Sequence, residues 1–450
     1  MTLLDSLFRW DAVTKLFSDA ACLQSMLDFE AALARAEAAA GVIPYSAATA
    51  IASKCRAEIF DLEKLVNPTA LAGNLAIPLL QQLRDLVAAQ DQEAANFVHW
   101  GATSQDAIDT GLALRLREAF RLIAADAHKL CGALAELADQ HRATPIVGRT
   151  LMQHAVPTTL GTKFAGWLDA LGRHRDRLHE TRQRCIVLQF GGAVGTLATL
   201  GAHGETVAKN LSSELQLPLP QIPWHSHRDR MAEIATTLGL LTGTLGKIAR
   251  DVSLHAQTEI AEFHEPAEEG RGGSSTMPHK RNPVASASII SAAIRVPGLV
   301  SAMLAAMPQE QERGLGGWHA EWETLPEIVC LAAGALHQLT YIAPKLELDV
   351  DRMSQNLEAS KGLIFAEAVT AALGEKIPRS QARQLMDAAL RLAVNEKLHL
   401  REALEQQKAI KQHLPPGDLD KLFDPRNYSG SASRNIDAVI ATHKSRAHTK

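Results

Sequence analysis

The sequence predicts an all-α fold, and three observations support that prediction. Ala and Leu are abundant whereas aromatic residues make up only 4% of the 450 residues, and small or unbranched side chains lose little rotamer freedom in a helix. Apolar residues recur at alternating steps of three and four positions over several long segments, which is the helical period. A single short segment, 185–190, is a candidate β-strand. Helix-on-helix packing is therefore expected.

Four segments carry the helical apolar stripe, at residues 116–137, 160–171, 234–252 and 325–339. Repeats of this kind in several long helices indicate bundle packing. Helices of this length present more apolar surface than one small bundle covers, so we expect other subunits to complete the bundle. The alternative is a large monomeric helical domain.

The helical pattern predicts three domains along the chain. Residues 1–110 contain shorter helices, among them a helix at 19–40 that ends at Gly41. Residues 111–350 contain the long helices. Residues 351–450 form a further helical set, interrupted by four prolines: Pro378, Pro415, Pro416 and Pro425.

Composition and charge exclude several classes of protein. The net charge of −4 and the 46% hydrophobic content are typical of an ordinary globular protein and unlike a disordered chain or a nucleic-acid coat protein. Five cysteines without a CxxC pair argue against a disulfide framework and a structural zinc site. No signal peptide and no apolar stretch of about 18 residues are evident. We therefore expect a cytoplasmic protein without metal, membrane or nucleic-acid partner.

The segment 272–283, GGSSTMPHKRNP, is the strongest candidate for chemistry. Its glycines and serines predict a loop whose backbone N–H groups can face an anion, and Lys280 and Arg281 add positive charge. Asn282 and Pro283 are typical of the first positions of a helix. A helix N-terminus beside a lysine predicts an anion site, and a serine hydroxyl in such a loop can be acidified enough to carry a proton. The alternative is a solvated linker between two helices.

The string GSSTMPHKRNP resembles the signature of the fumarase/aspartase superfamily. Two more segments are similar to that family's other site regions and follow in the same order: HWGATSQD at 99–106 and GRTLMQHAVP at 148–157. The resemblance implies an all-α homotetramer whose active sites are each shared between three subunits. It also implies metal-free chemistry without a cofactor, in which proton removal beside a carboxylate gives an aci-carboxylate before a β-leaving group departs, or the reverse.

The same resemblance implies roles for individual residues. Ser274 would transfer the proton, Lys280 would act beside it, and His154 is the third candidate catalytic residue. Lys280 and Asn282 would bind the carboxylate that becomes the aci-carboxylate. The remaining expected substrate-binding residues are His99, Thr103, Ser104, Arg149, Thr150, Gln153, Ser275, Met277 and Arg313.

Two departures from the family pattern indicate the branch. Most lyases of the superfamily have a histidine where this chain has Leu151, and a glutamate partner where it has Ala287. That relay assists poor leaving groups, whereas a carboxylate with a pKa of about 4 needs no proton to leave or attack at neutral pH. Together with the segments HWGATSQDAIDT and MPQEQERGLGGWHAEWETLPE, this favours the lactone-forming cycloisomerases of the superfamily, which act on a tricarboxylate in protocatechuate catabolism.

A trianionic substrate requires a local cationic cluster, since the net charge of −4 cannot attract it. The candidates are Lys280, Arg313, His154, Arg149 and His279. Two other interpretations remain open: a β-elimination of the adenylosuccinate lyase type, against which the segment LAGN at 71–74 lacks an expected histidine, and a non-catalytic structural tetramer.

Overall fold

A computed structural model describes residues 3–273, 276–277 and 279–448. Helices make up 69% of the structure, which confirms the predicted all-α class. Numbered in chain order, the described residues contain nineteen α-helices, and six of these exceed 20 residues: α3 (Asp19–Ala39), α7 (Ser104–Gln140), α8 (Leu160–Cys185), α10 (Asp229–His255), α11 (Val284–Ala305) and α12 (Gly317–Ile342).

The other helices are shorter and lie mainly toward the two ends of the chain. They are α1 (Asp5–Phe8), α2 (Asp11–Thr14), α4 (Tyr45–Lys54), α5 (Glu63–Ala72), α6 (Ala76–Ala88), α9 (Gly204–Leu215), α13 (Val350–Glu358), α14 (Ala366–Gly374), α15 (Arg379–Asn395), α16 (Leu400–Glu405), α17 (Lys408–Lys411), α18 (Pro416–Leu422) and α19 (Ala432–His448).

The predicted apolar stripes form the core. All four lie in long helices, namely α7, α8, α10 and α12, and their members are at most 4% exposed except Leu137, which is half-buried. The predicted helix at 19–40 is α3. The Ser18 hydroxyl caps it by accepting a hydrogen bond from Ala21 N, and Gly41 follows its end at φ +73°.

Strands are few, and the predicted strand at 185–190 is wrong. Cys185 ends α8, and the buried residues after it are irregular. The strands are instead β1 (Pro145–Thr150) with β2 (Gln153–Thr159), which form an antiparallel hairpin, and the two-residue pair β3 (Phe263–His264) with β4 (Glu347–Leu348). Leu151 and Met152 make the hairpin turn, both at positive φ, as a two-residue turn of type I′ requires.

The chain divides into two compact units. Unit 1 comprises Met1–Ala127, His174–Gly246 and Ser288–Gln338, and its most deeply buried side chains include Phe29 and Phe120. Unit 2 comprises His128–Arg173, Lys247–Ala287 and Leu339–Lys450. It contains both strand pairs and a separate apolar cluster from α14 to α18. The division into three domains stays a prediction.

The expectation that no apolar stretch reaches membrane-span length is wrong on length and composition alone. Val284–Ala305 and Gly317–Lys345 both pass that test. In Gly317–Lys345, 67% of the apolar window is buried, as in the core helix of a globular protein. In Val284–Ala305 only 28% is buried, and Ile294 is 71% exposed, so this helix carries apolar surface that the single chain does not cover.

Candidate active site

Asp106 fixes the N-terminus of α7, where two predicted binding residues, Thr103 and Ser104, lie. The Asp106 carboxylate is fully buried and accepts a hydrogen bond from Thr103 N at 3.0 Å, as an acid at the third helical position does in a capping box. It also accepts from the backbone N–H of Gly191 at 3.0 Å and of Gly192 at 2.9 Å. The glycine cluster thus serves the start of α7.

Two further side chains complete the surroundings of Asp106. Gln189 Nε2 donates to it at 3.0 Å, and His225 Nε2 lies 3.0 Å from the same oxygen. Gly192 is required where it stands, because it has φ +69° and a Cβ there would come within 2.9 Å of Gly101 O. The carboxylate therefore receives five hydrogen bonds, a number that only a deeply buried and fixed acid attains.

Arg313 and Thr103, both predicted to bind substrate, are in direct contact within unit 1. Arg313 Nη1 donates to the Thr103 hydroxyl at 3.0 Å, and Nη2 donates to Ala193 O at 2.9 Å. Arg313 Nε is buried without a partner in the described part of the chain. The arrangement places a guanidinium beside the hydroxyl that the resemblance assigns to a substrate carboxylate.

His99, another predicted binding residue, is paired with a carboxylate that the sequence did not indicate. Its Nδ1 lies 2.7 Å from Glu30 Oε1, and the two side chains are 9% and 1% exposed. Burial by itself would lower the pKa of His99, but the charge and hydrogen bond of Glu30, aided by Asp106, outweigh it and raise that pKa.

A buried ion triad includes Asp109, which lies on the same helix as Asp106 about one turn further on. Arg228 donates to Asp109 at 2.7 and 3.1 Å and to Glu321 at 2.9 and 3.1 Å, and none of the three is more than 2% exposed. Trp318 Nε1 also donates to Asp109, at 3.2 Å. These contacts hold α7 and α12 together inside unit 1, so Trp318 serves packing there.

In unit 2, the hairpin carries four of the predicted residues. Arg149 and His154 face each other across the strand pair, as do Thr150 and Gln153. Thr150, Gln153 and His154 are exposed in the chain, as is Leu151 at the turn, at 96%. The hairpin thus presents the three predicted side chains to solvent, and burial together with the charge of Arg149 lowers the pKa of His154.

Arg149 is occupied by a buried acid. Its two terminal nitrogens donate to Glu262 at 2.8 and 2.9 Å, and His255 and Asn356 hydrogen-bond the same carboxylate at 2.6 and 2.8 Å. Burial favours the protonated acid, but these hydrogen bonds prevail and lower the pKa of Glu262 to about 2. Arg149 anchors the hairpin, and its binding of substrate stays a prediction.

The two ends of the signature loop, at Gly272 and Asn282, are hydrogen-bonded to each other. Asn282 N donates to Gly272 O at 2.8 Å, and a Cβ on Gly272, at φ +64°, would lie 2.5 Å from Asn282 O. Ser274 and Ser275, predicted as proton carrier and ligand, lie outside the described residues. Lys280 is exposed, and its ammonium has no ion-pair partner among the described residues.

The anion predicted at the N-terminus of the helix after this loop is the protein's own Glu265. Its carboxylate accepts hydrogen bonds from Ala285 N at 3.0 Å and from Ser286 N and Oγ, both at 2.8 Å. Glu265 thus fills the helix N-terminus itself, and the binding of a substrate carboxylate by Lys280 and Asn282 stays a prediction. Asn282 and Pro283 precede the helix, which begins at Val284.

Arg281 does not supply free charge to the loop either. It donates to both oxygens of Glu347, at 2.7 and 2.8 Å, and to Glu265 O at 2.6 Å. Met277 is 43% exposed, and its carbonyl accepts from Lys280 N at 3.0 Å. Lys280 is thus the cation that the described part of the loop offers.

Sequence reasoning missed the carboxylates that position these groups: Glu30, Asp106, Glu262, Glu265 and Glu347. Of these, Asp106 had a signal, because Thr and Asp three residues apart before an apolar stripe indicate a capping box. Each of the others pairs with a residue that its sequence position does not indicate. Within the ranges that the structure describes, no group of three or more His, Cys, Asp or Glu side chains could hold a metal ion.

Each unit therefore offers hydrogen-bond donors suited to carboxylates: Thr103, Ser104, His99 and Arg313 in unit 1, and Thr150, Gln153, His154, Lys280 and Asn282 in unit 2. Comparisons with known proteins identify the family of the chain. The sequence profile of a family described as Lyase matches residues 8–298, more than half of the chain. A second profile, described as Adenylosuccinate lyase C-terminus, matches residues 362–439.

Individual relatives match nearly the full length. The chain is 53% identical to the 3-carboxy-cis,cis-muconate cycloisomerase of Pseudomonas aeruginosa, over 98% of this chain and 96% of that protein. It is similar to the crystal structure of the 3-carboxy-cis,cis-muconate lactonizing enzyme from Pseudomonas putida, with a TM-score of 0.95, 50% identity and coverage of 98% and 99%. A nitrosuccinate lyase from Streptomyces davaonensis is 41% identical, over 94% and 91% of the two chains. The chain belongs to this lyase family of the fumarase/aspartase superfamily.

Proposed function

We propose that the chain is an enzyme that converts 3-carboxy-cis,cis-muconate to 4-carboxymuconolactone. The observation that carries the proposal is the 53% identity, over 98% of the chain, to a cycloisomerase of that substrate. The donor sets around Thr103 and around Lys280 support it, because both suit carboxylates and the substrate has three.

The reaction is an intramolecular addition. A carboxylate oxygen of the substrate forms a C–O bond to one alkene carbon, and the electron pair of the double bond moves to the adjacent carbon and into its carboxylate. This aci-carboxylate then takes a proton on carbon. Ser274, outside the described residues, is the proposed proton carrier. Lys280 and Asn282 stabilise the extra negative charge of the aci-carboxylate as it develops.

The other predicted residues bind and orient the substrate. Thr103, Ser104 and Arg313 take one carboxylate at the start of α7, where the guanidinium already contacts the Thr103 hydroxyl. Thr150, Gln153 and His154 meet the substrate from the hairpin. Since burial and Arg149 lower the pKa of His154, its imidazole acts at neutral pH as a hydrogen-bonding group rather than as a cation.

The chain does without the relay of its relatives because its nucleophile is already an anion. Leu151 lies at the hairpin turn and Ala287 is exposed on α11. A carboxylate attacks and leaves without acid assistance near pH 7, so no histidine and glutamate are needed at these positions.

The enzyme works as a homotetramer in the cytoplasm, with each active site shared between three subunits. The low burial of the apolar helix α11, of which 28% of the apolar window is buried and where Ile294 is 71% exposed, supports assembly, since large exposed apolar surface is typical of an interface. All five cysteines are free thiols, which suits a reducing compartment.

The experiment is a direct comparison of substrates. Purified enzyme is given 3-carboxy-cis,cis-muconate, adenylosuccinate and nitrosuccinate separately, and products are identified by mass spectrometry and NMR. We expect lactone from the muconate with kcat/KM at least 100-fold above that for either succinate. If one of the succinates gives fumarate faster than the muconate gives lactone, the function is β-elimination and not lactonisation. If no substrate is turned over, the result favours a structural tetramer.

A further inference from the structure

The structure contains a histidine–carboxylate pair, His99 with Glu30, that the proposed mechanism has not yet used. The relay positions of the family are Leu151 and Ala287, so neither half of that pair comes from them. His99 stands four residues before Thr103, at the start of the segment that binds a carboxylate in the proposed function. The pair therefore lies in the candidate site by sequence and within unit 1 by structure.

The geometry fixes the His99 ring. Glu30 Oε1 is 2.7 Å from Nδ1, and both side chains are almost fully buried. A hydrogen bond at one ring nitrogen determines the role of the other: with the Nδ1 proton directed at Glu30, Nε2 faces away from the carboxylate. Nε2 has no hydrogen bond to any residue that the structure describes.

The backbone at this point is strained in a way that serves the same orientation. His99 has φ +63°, in the left-handed region that is unfavourable for residues other than glycine. Strain of this kind persists only where the surroundings impose it, and here the Glu30 contact holds the side chain from α3.

Among the charged groups around His99, Glu30 has the largest effect on the pKa of His99. Asp106 also raises the pKa of His99, whereas Arg84 lowers it. Glu37 is the next glutamate along the same helix, α3. Burial and the charge of Glu30 raise the pKa of Glu37 to about 9, so Glu37 is neutral near pH 7. Burial and the charges of Glu30 and Asp28 likewise raise the pKa of the Cys55 thiol, against Arg35.

The two other buried histidines with carboxylate partners, His225 and His255, do not offer the same combination. Glu262 is shared by His255 with Arg149 and Asn356, and burial lowers the pKa of His255. Asp106, the partner of His225, accepts four other hydrogen bonds. Glu30 accepts only the bond from His99, and its Oε2 is buried without a partner in the described structure.

We propose that Glu30 is a positioning residue that keeps His99 an imidazolium and directs its Nε2–H to a carboxylate of the substrate. His99, rather than His154, is then the histidine that contributes positive charge to binding the trianion. This inference rests on the proposed function for its substrate, but the charge state of His99 stands apart from it.

The test compares Glu30→Gln with Glu37→Gln, which alters a buried carboxyl group on the same helix that makes no hydrogen bond through its side chain. In Glu30→Gln the imidazolium loses its anionic partner. We expect KM for 3-carboxy-cis,cis-muconate at pH 7.5 to rise at least tenfold, about 1.4 kcal/mol, with kcat changed less than threefold. The alkaline decline of kcat/KM should begin at lower pH. Glu37→Gln should leave both within twofold of wild type.

A readout without substrate separates the two proposals. With 15N-labelled histidine and His99→Gln for assignment, the titration midpoint of His99 should be at least one pH unit lower in Glu30→Gln than in wild type. If wild type fails to turn over the muconate while this shift appears, the proposed function is wrong and the pair is upheld. An unshifted midpoint overturns the pair.

Should Glu30→Gln not fold, Glu30→Asp keeps the charge but shortens the reach to Nδ1. We expect its KM to rise threefold or more while the alkaline decline stays closer to wild type. A KM equal to that of wild type would show that Glu30 does not position His99.

Discussion

Replacing Arg228 with methionine removes the cation that lies between two buried acids. Methionine still provides a long, unbranched apolar side chain at this position. Asp109 and Glu321 are 1% exposed, and Arg228 gives two hydrogen bonds to Asp109 and three to Glu321, at 2.5 to 3.1 Å. Taking one partner from a buried ion group costs about 3 to 5 kcal/mol, because the remaining charge is neither solvated nor paired. Against a total stability of about 5 to 15 kcal/mol, we expect a large loss.

The assay is equilibrium urea unfolding at pH 7.5 and pH 5.5, followed by circular dichroism and compared with Arg35→Met. Arg35 pairs with Glu214 at 2.9 Å, but the two side chains are 47% and 40% exposed, so its loss should cost about 0 to 1 kcal/mol. The loss in Arg228→Met should shrink at pH 5.5, because the orphaned acids then take up protons. A loss below about 1 kcal/mol at pH 7.5 would refute the reasoning.

Three further predictions concern the site and its supports. Ser274→Ala should lower kcat at least 100-fold with a small change in substrate Kd, whereas Lys280→Ala should weaken both; near-normal turnover by Ser274→Ala would move the proton carrier elsewhere. The double variant Leu151→His with Ala287→Glu should not raise kcat/KM for lactonisation, and a gain of tenfold or more, about 1.4 kcal/mol, would contradict the leaving-group argument. Glu262 has its pKa lowered from 4.5 to about 2, so it stabilises the fold above pH 4.5 and that contribution disappears as the pH falls toward 2. Glu262→Gln should accordingly remove about 3 kcal/mol of the acid-dependent loss of stability measured by urea unfolding, and an unchanged pH dependence would count against the Arg149 anchor.

The long helices could be predicted because their apolar residues follow the helical period without interruption. The hairpin at 145–159 could not, since its turn is Leu151–Met152 rather than the Asn-Gly or Asp-Gly that announces such a turn. The segment 185–190 was wrongly predicted as a strand, because a short buried apolar segment has the same composition whether or not it pairs with another strand. Its Gln189 N and O in fact hydrogen-bond the Thr110 hydroxyl.

The site was predictable where the motif itself supplies the group and not where a distant residue positions it. Thr103 and Arg313 are in contact, and their binding of substrate stays a prediction. Glu265 is an example of a residue that could not be predicted. Its carboxylate occupies the helix N-terminus where the loop sequence predicted an anion site. Local sequence patterns, namely caps, loops and charges, carry no information on which distant acid fills such a position.

The five hydrogen bonds to Asp106 also determine at what stage of synthesis this part of the site can form. Gln189 lies 83 residues after Asp106, and His225 lies 119 residues after it. Pairings this distant in sequence form late, because the intervening loop must close first. During synthesis, a nascent chain that has not yet extended past residue 225 lacks the His225 contact to this carboxylate, so the surroundings of Asp106 are complete only after half of the protein has been made. Fragments that end before that point would keep the helical pattern of α7 and four of the five hydrogen bonds to Asp106 but lack the one from His225.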